Sequence, residues 1–269
     1  MVVHAGDYRY DPPEPDTPVT IRLGDQDVSL FSLASHDRNP LHLSRGYARA
    51  TPYGEPVAFG MLAVLAGLGT LPPRRDQVLS RVAIDFRQPI FLGSDYQVEA
   101  THTSATATIL RVLEGARPAM TMRLEFEARA AGWQPEPGAS MASHTEPVER
   151  CLAGIAPGLE GTGVYACDPD PLSELVARWQ AADCGVDAGQ IAALLWSSYL
   201  VGMELPGQRA VYSRLDLRFA PGREAQTSPL EYRARVTKLD PRIDQVSISI
   251  ALARQGTPTR TARSRLSSC

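Results

Sequence analysis

The chain has 269 residues, of which 43% are hydrophobic and 21% charged, the balance of an ordinary soluble globular protein. Its length allows one large domain or two of about 130 residues. A net charge of −3 gives no electrostatic reason to expect a nucleic-acid or anionic-membrane partner. In chain order, Met1–Asp16 is polar, rich in proline and acids and without an apolar core, so no secretory signal is expected. The longest apolar stretch, Val57–Leu71, is broken by glycines and falls short of the ~20 residues of a membrane span. The four cysteines, Cys151, Cys167, Cys184 and Cys269, match no zinc or redox spacing and read as reduced thiols of a cytoplasmic protein. Lys238 is the single lysine, a bias that says nothing about chemistry.

The first segment that concentrates chemistry is Asp37-Arg38-Asn39-Pro40-Leu41-His42. Proline biases the residue before it toward extended backbone, so the segment predicts a loop. A loop that holds a carboxylate, a carboxamide and an imidazole is suited to proton transfer. Alone, Asp-x-Asn-Pro is equally the signature of a capped turn.

An apolar helix is expected over Gly60–Leu71, ending at Pro72, and then an alternating strand Ser80–Arg87 with Val82, Ile84 and Phe86 on one face. Strand-like segments follow at Tyr96–Thr103, Thr106–Leu113 and Met120–Ala128, with turn residues Gly115 and Pro118. The second half repeats this order. Gln190–Leu205 is apolar and ends at Pro206, and Ser213–Phe219 alternates with Leu215, Leu217 and Phe219 on one face. Tyr232–Lys238, Gln245–Ala253 and Thr259–Leu266 then read as strands, with Asp240-Pro241 at a turn. Each half is therefore an early strand, a central helix and several antiparallel strands, an α+β unit with a helix laid on a sheet. The expected boundaries are 1–132 for the N-terminal repeat, 133–163 for a linker and 164–269 for the C-terminal repeat. Within the linker, Glu146–Ile155 has the pattern of a short amphipathic helix.

Three features in order, Asp37-Arg38-Asn39-Pro40-Leu41-His42, then Pro56-Val57-Ala58-Phe59-Gly60-Met61, then Gln88-Pro89-Ile90-Phe91-Leu92-Gly93-Ser94-Asp95, resemble the MaoC-like, or (R)-specific enoyl-CoA hydratase (hydratase 2), family. The resemblance covers roughly residues 17 to 130. It implies a double hotdog fold, two repeats each with a central helix wrapped by an antiparallel sheet. It also implies a hydratase or dehydratase acting on a 3-hydroxyacyl or enoyl thioester of CoA or an acyl carrier protein. No metal or redox cofactor is implied. Carried onto this chain, Asp37 and His42 become the acid and base, Asn39 orients water, and the backbone N–H of Gly60 supplies an oxyanion hole. In the dehydration direction, His42 is expected to abstract the α-proton and Asp37 to protonate the leaving hydroxyl, with the reverse assignment left open.

The chain departs from the family at Phe59, where histidine is usual, at Leu65, where a serine is often found, and at His36, where a small residue is usual. These, with Pro56, are expected to line the substrate pocket. The apolar replacements keep other readings open: a specialised acyl chain such as a polyketide intermediate, a cyclase or isomerase acting on the enoyl group, a thioesterase, or a non-catalytic partner subunit. The second half shows Asp183-Cys184-Gly185-Val186-Asp187 before its helix, with no Asn-Pro, and no histidine follows His144. It is expected to be a non-catalytic repeat, so that the chain is a monomer or a homodimer. His102, on an expected strand, reads as a surface or satisfied core histidine, and Trp179, Trp196 and Tyr199 read as packing residues. Arg74 and Arg75 read as solvated, with a phosphate contact as the alternative.

Overall fold

A computed structural model describes residues 19–129, 146–219, 229–254 and 260–268. His4, His144 and Cys269 lie outside them, as does most of the expected linker. The first half runs β1 (Val19–Arg22), α1 (Asp25–Ser35), the short helices α2 (Pro40–Leu43) and α3 (Arg45–Arg49), α4 (Gly60–Leu68), β2 (Gln77–Phe86), β3 (Asp95–Ser104), β4 (Ala107–Glu114) and β5 (Arg117–Ala128). The second runs β6 (Glu160–Tyr165), α5 (Pro169–Trp179), α6 (Ala188–Tyr199), a π-helical extension of α6 (Leu200–Glu204), β7 (Ala210–Arg218), β8 (Leu230–Asp240), β9 (Gln245–Arg254) and β10 (Arg260–Ser268).

The ten strands form one antiparallel sheet in the order β1-β3-β4-β5-β2-β7-β10-β9-β8-β6. Read from either edge inward, the order is the same once β6 to β10 are matched to β1 to β5. The expected repeat is thus a structural one, and the two halves join where β2 pairs with β7. There Val82 faces Leu217 and Ile84 faces Leu215, all buried on the helix side. The opposite face is charged. Arg81 bridges Asp216 at 2.7 Å and Glu125 at 2.8 Å, and Arg123 meets Asp85 at 2.6 Å. Alternation along each strand therefore divides the seam between an apolar core and an ion-pair network.

Helix α4 is apolar all round and Met61–Leu68 is fully buried, as a central helix wrapped by a sheet must be. Each fully buried leucine in it contributes about 1.5–3 kcal/mol by leaving water. Helix α6 is its counterpart and is likewise buried, including Trp196 and Tyr199. Helices α1 and α5 also correspond. Each ends on a left-handed residue, His36 (φ 58°) and Gln180 (φ 51°). The connections from there to the central helices differ. In the second half, residues 180–187 lead straight into α6. In the first, residues 36–59 carry α2 and α3 before α4 begins.

Two expectations need correction. The motif is only partly a loop, because Pro40 opens α2 and His42 rides on it. Proline at the first helical position sacrifices no hydrogen bond and has φ preset for the helix. Glu146–Ile155 is not a helix; only Leu152–Gly154 forms a 3-10 turn. In addition, β6 begins at Glu160, inside the stretch expected as linker, and pairs with β8.

Candidate active site

Asp37 follows the left-handed turn at His36 and is 1% exposed. Its Oδ1 accepts the N–H of Asn39 at 3.0 Å, and its Oδ2 accepts the hydroxyl of Ser198 at 2.8 Å. Ser198 lies on α6, in the other repeat. On the same side, Gly202 is so close that a Cβ there would sit 2.5 Å from Asp37 Oδ1, so glycine is required for the carboxyl group to fit. Burial pushes the Asp37 carboxyl up to about 7, against the hydrogen bonds from Ser198 and Asn39, which pull it down.

His42 is held by a 2.8 Å contact from Nδ1 to the carbonyl oxygen of Val57. A carbonyl only accepts, so Nδ1 carries the proton and Nε2 keeps its lone pair. The ring packs on Phe59 with centroids 4.0 Å apart. Burial lowers its pKa to about 4, with the Val57 hydrogen bond opposing the shift. Near neutral pH the site therefore offers an unprotonated imidazole beside a carboxyl group close to its own midpoint. Asn39 is the N-cap of α2, its Oδ1 accepting from the N–H of Leu41 at 3.0 Å.

Asp37, Asn39, His42 and Gly60 all line one cavity of about 250 Å³. Gly60 is the first residue of α4, whose N-cap, Phe59, offers no side-chain acceptor. The first N–H groups of a helix have no intrahelical partner and lie at the positive end of its dipole. The matching end of α6 is closed instead. Asp187 and Gln190 form a capping box there, and Gln190 also reaches the carbonyl of Leu79. After the left-handed residue of the second half comes Ala181, where the first half has Asp37. One helix end is thus left open to the cavity, and its counterpart is sealed and lacks the acid.

The other expected pocket residues are placed elsewhere. Leu65 is fully buried within α4 and Phe59 is fully buried behind His42 and against Phe31, so neither lines the cavity. Leu65 points inward from α4, and Phe59 packs inward from the N-cap. Pro56 is half-buried and only precedes the wall residue Val57. His36 turns away to Tyr165 and the Asp168 end of α5. The residues missed by sequence reasoning include Tyr53, Phe86 and Arg87 of the first repeat and Ser198, Val201, Gly202 and Tyr212 of the second. Ser197-Ser198 was the available signal, since adjacent hydroxyls interrupt an otherwise apolar helix. Arg74, expected to be solvated, lies over the ring of Phe126 at 4.3 Å and contacts Thr108. Among the described residues, no group of three or more His, Cys, Asp or Glu is placed to hold a metal ion, and no helix is long and apolar enough to cross a membrane.

Comparison with known proteins bears on this cavity. Residues 10–114, which carry Asp37, Asn39, His42 and Gly60, match the MaoC-like domain family. The match falls within the N-terminal repeat. The chain is 31% identical over 86 residues to an (R)-specific enoyl-CoA hydratase from Aeromonas caviae, covering 31% of this chain and 64% of that protein. It is 34% identical over 80 residues to a 3-hydroxybutyryl-CoA dehydratase from Methylorubrum extorquens, covering 29% of this chain and 51% of that protein. The chain thus spans less than two thirds of the length of these curated relatives. A double-hotdog protein from Mycobacterium tuberculosis superposes with a TM-score of 0.63 at 13% identity, covering 93% of this chain and 94% of that one. That coverage makes the whole chain a double hotdog, and the stretch similar to the MaoC-like family lies in its first repeat.

Proposed function

We propose that the protein is a MaoC-like hydratase or dehydratase that interconverts a 3-hydroxyacyl thioester and its enoyl partner. The observation that carries this reading is the shared cavity: a buried acid, a neutral imidazole and the open N-terminus of α4 meet in one space. In the dehydration direction, Nε2 of His42 takes the α-proton while the thioester oxygen accepts the N–H of Gly60. That hydrogen bond stabilises the enolate-like charge that builds as the C–H bond breaks. Protonated Asp37 then gives its proton to the β-hydroxyl, which leaves as water, and the C=C bond forms. Hydration runs the same steps backwards, with Asp37 as base and His42 as acid. Asn39 serves to orient the water.

The names of the two relatives support CoA as a carrier. A cavity of about 250 Å³ takes the reacting end of such a ligand, and exposed Arg87 on its rim marks a way out for the rest. The cyclase reading rests on Phe59 and Leu65 as wall residues; both lie outside the cavity wall, so hydration is the reading favoured. The test is to incubate the protein with 3-hydroxyacyl and enoyl thioesters on CoA and on an acyl carrier protein, with short linear and polyketide-type chains. Interconversion with gain or loss of water is expected. A cyclised product alone, or release of free thiol, overturns the reading.

A further inference from the structure

The C-terminal end of α1, from which Asp37 departs, is gripped by the second repeat at three successive residues. The N–H of Asp168 donates to the carbonyl of Ala34 at 3.1 Å. The hydroxyl of Tyr165 donates to the carbonyl of Ser35 at 3.0 Å. The ring of His36 meets the ring of Tyr165 edge-on, with centroids 6.4 Å apart. Helix ends leave their last carbonyls without intrahelical partners, so these contacts satisfy groups that must otherwise find water. Tyr165 is fully buried and packs on Tyr199, 5.2 Å away between centroids. Ser35 acts on the turn from the other side, its hydroxyl accepting the N–H of Asp37 at 3.2 Å.

The fold supplies an internal control. Tyr165 precedes α5 by the same interval as Ile21 precedes α1, and each is a buried residue on an edge strand. Ile21 has no hydrogen-bonding side chain. The polar tether is therefore made by the repeat that lacks the acid and is directed at the repeat that has it. A contact needed only to close the barrel-like wrap would be expected on both sides. His36 adds a second asymmetry: Gln180, its left-handed counterpart at the end of α5, has no ring with which to make such a contact.

We propose that Tyr165 is a positioning residue: through Ser35 and His36 it holds the turn that delivers Asp37 to the cavity. This rests on the hydratase reading for its catalytic consequence but not for its structural one. The experiment is a ¹³C titration of the Asp37 carboxyl group in wild type and Tyr165→Phe, alongside kcat and KM for hydration of crotonyl-CoA. Loss of the tether lets water reach Asp37, so the midpoint is expected to fall toward the ordinary carboxylate range by about half a unit or more. kcat is expected to fall on the order of tenfold with KM unchanged, short of the ~10²-fold cost of a full 1 Å misplacement. His36→Gly keeps the left-handed turn but loses the ring contact. It is expected to move the same two quantities, and it carries the test if Tyr165→Phe does not fold. A lower Tm with midpoint and kcat at wild-type values would show that Tyr165 only packs, and the proposal falls. If wild type itself does not hydrate crotonyl-CoA, the hydratase reading is what fails on that substrate, and the titration still decides the positioning role.

Discussion

Ser198 of the second repeat donates a 2.8 Å hydrogen bond to Asp37 of the first. The buried carboxyl group of one repeat is thus tuned by a helix of the other. Without the hydroxyl, the buried carboxylate loses one of its two hydrogen-bond donors, and its charged form is disfavoured further. A hydrogen bond to a charged group is worth about 1.5–3 kcal/mol, so Ser198→Ala is expected to raise the Asp37 midpoint by about one unit or more. The pH dependence of kcat/KM reads this as an alkaline limb moved upward. A limb that stays in place means that the bond does not act on Asp37 in solution.

Gly202 supports the same carboxyl group by what it lacks. A Cβ there would lie 2.5 Å from Oδ1 and 2.9 Å from Oδ2 of Asp37, nearer than real contacts allow. Gly202→Ala must displace either the π-helical turn or the carboxyl group. A displacement near 1 Å costs on the order of 10²-fold in rate. Steady-state kinetics should show that loss in kcat, with near-wild-type far-UV circular dichroism. Full activity in the variant would mean that Asp37 is not held against this turn during turnover.

The two shifted groups define a pH window. In the proposed mechanism, catalysis in either direction uses the pair carrying one proton. That form is populated above the His42 midpoint of about 4 and below the Asp37 midpoint of about 7. kcat/KM is therefore expected to be bell-shaped, falling above about pH 7. A profile still rising at pH 9 would contradict this assignment of acid and base.

The same shifts act on stability with opposite signs. Asp37 titrates at about 7 when folded and near 3.8 when free, so the folded state binds its proton more tightly. The stability this gives is present below about pH 4 and is lost as pH rises toward 7. His42 titrates at about 4 when folded and near 6.5 when free, so its folded state binds its proton less tightly and stability rises over that interval. Between about pH 4 and 6.5 the two contributions offset one another. Asp37→Asn removes one of them. It should be more stable than wild type at pH 8, by an amount on the order of a few kcal/mol, with the gain shrinking toward pH 4. Urea unfolding at both pH values checks this; a variant less stable than wild type at pH 8 would show that the buried carboxylate is not strained.

The strand pattern was legible because apolar residues alternate cleanly in β2 and β7, and the repeat because the same order of elements recurs. Asp37, Asn39, His42 and Gly60 were legible because they lie close together in the chain and in a recognisable order. Ser198, Gly202 and Tyr165 were not, because their relation to Asp37 exists only once the two repeats pair. Phe59 and Leu65 were misplaced for a related reason: proximity in sequence to Gly60 does not say which side of a buried helix faces the cavity. The short α2 was not legible because Pro40 both biases Asn39 toward extended backbone and is suited to opening a helix.

The most direct test of the hydratase reading is the rate of crotonyl-CoA hydration, measured by loss of enoyl absorbance, in wild type, Asp37→Asn and His42→Ala. Wild type is expected to hydrate the thioester, and each variant to lose about 10²–10⁴-fold in kcat/KM while remaining folded. Turnover in both variants at the wild-type rate, or release of free thiol in place of hydration, would contradict it.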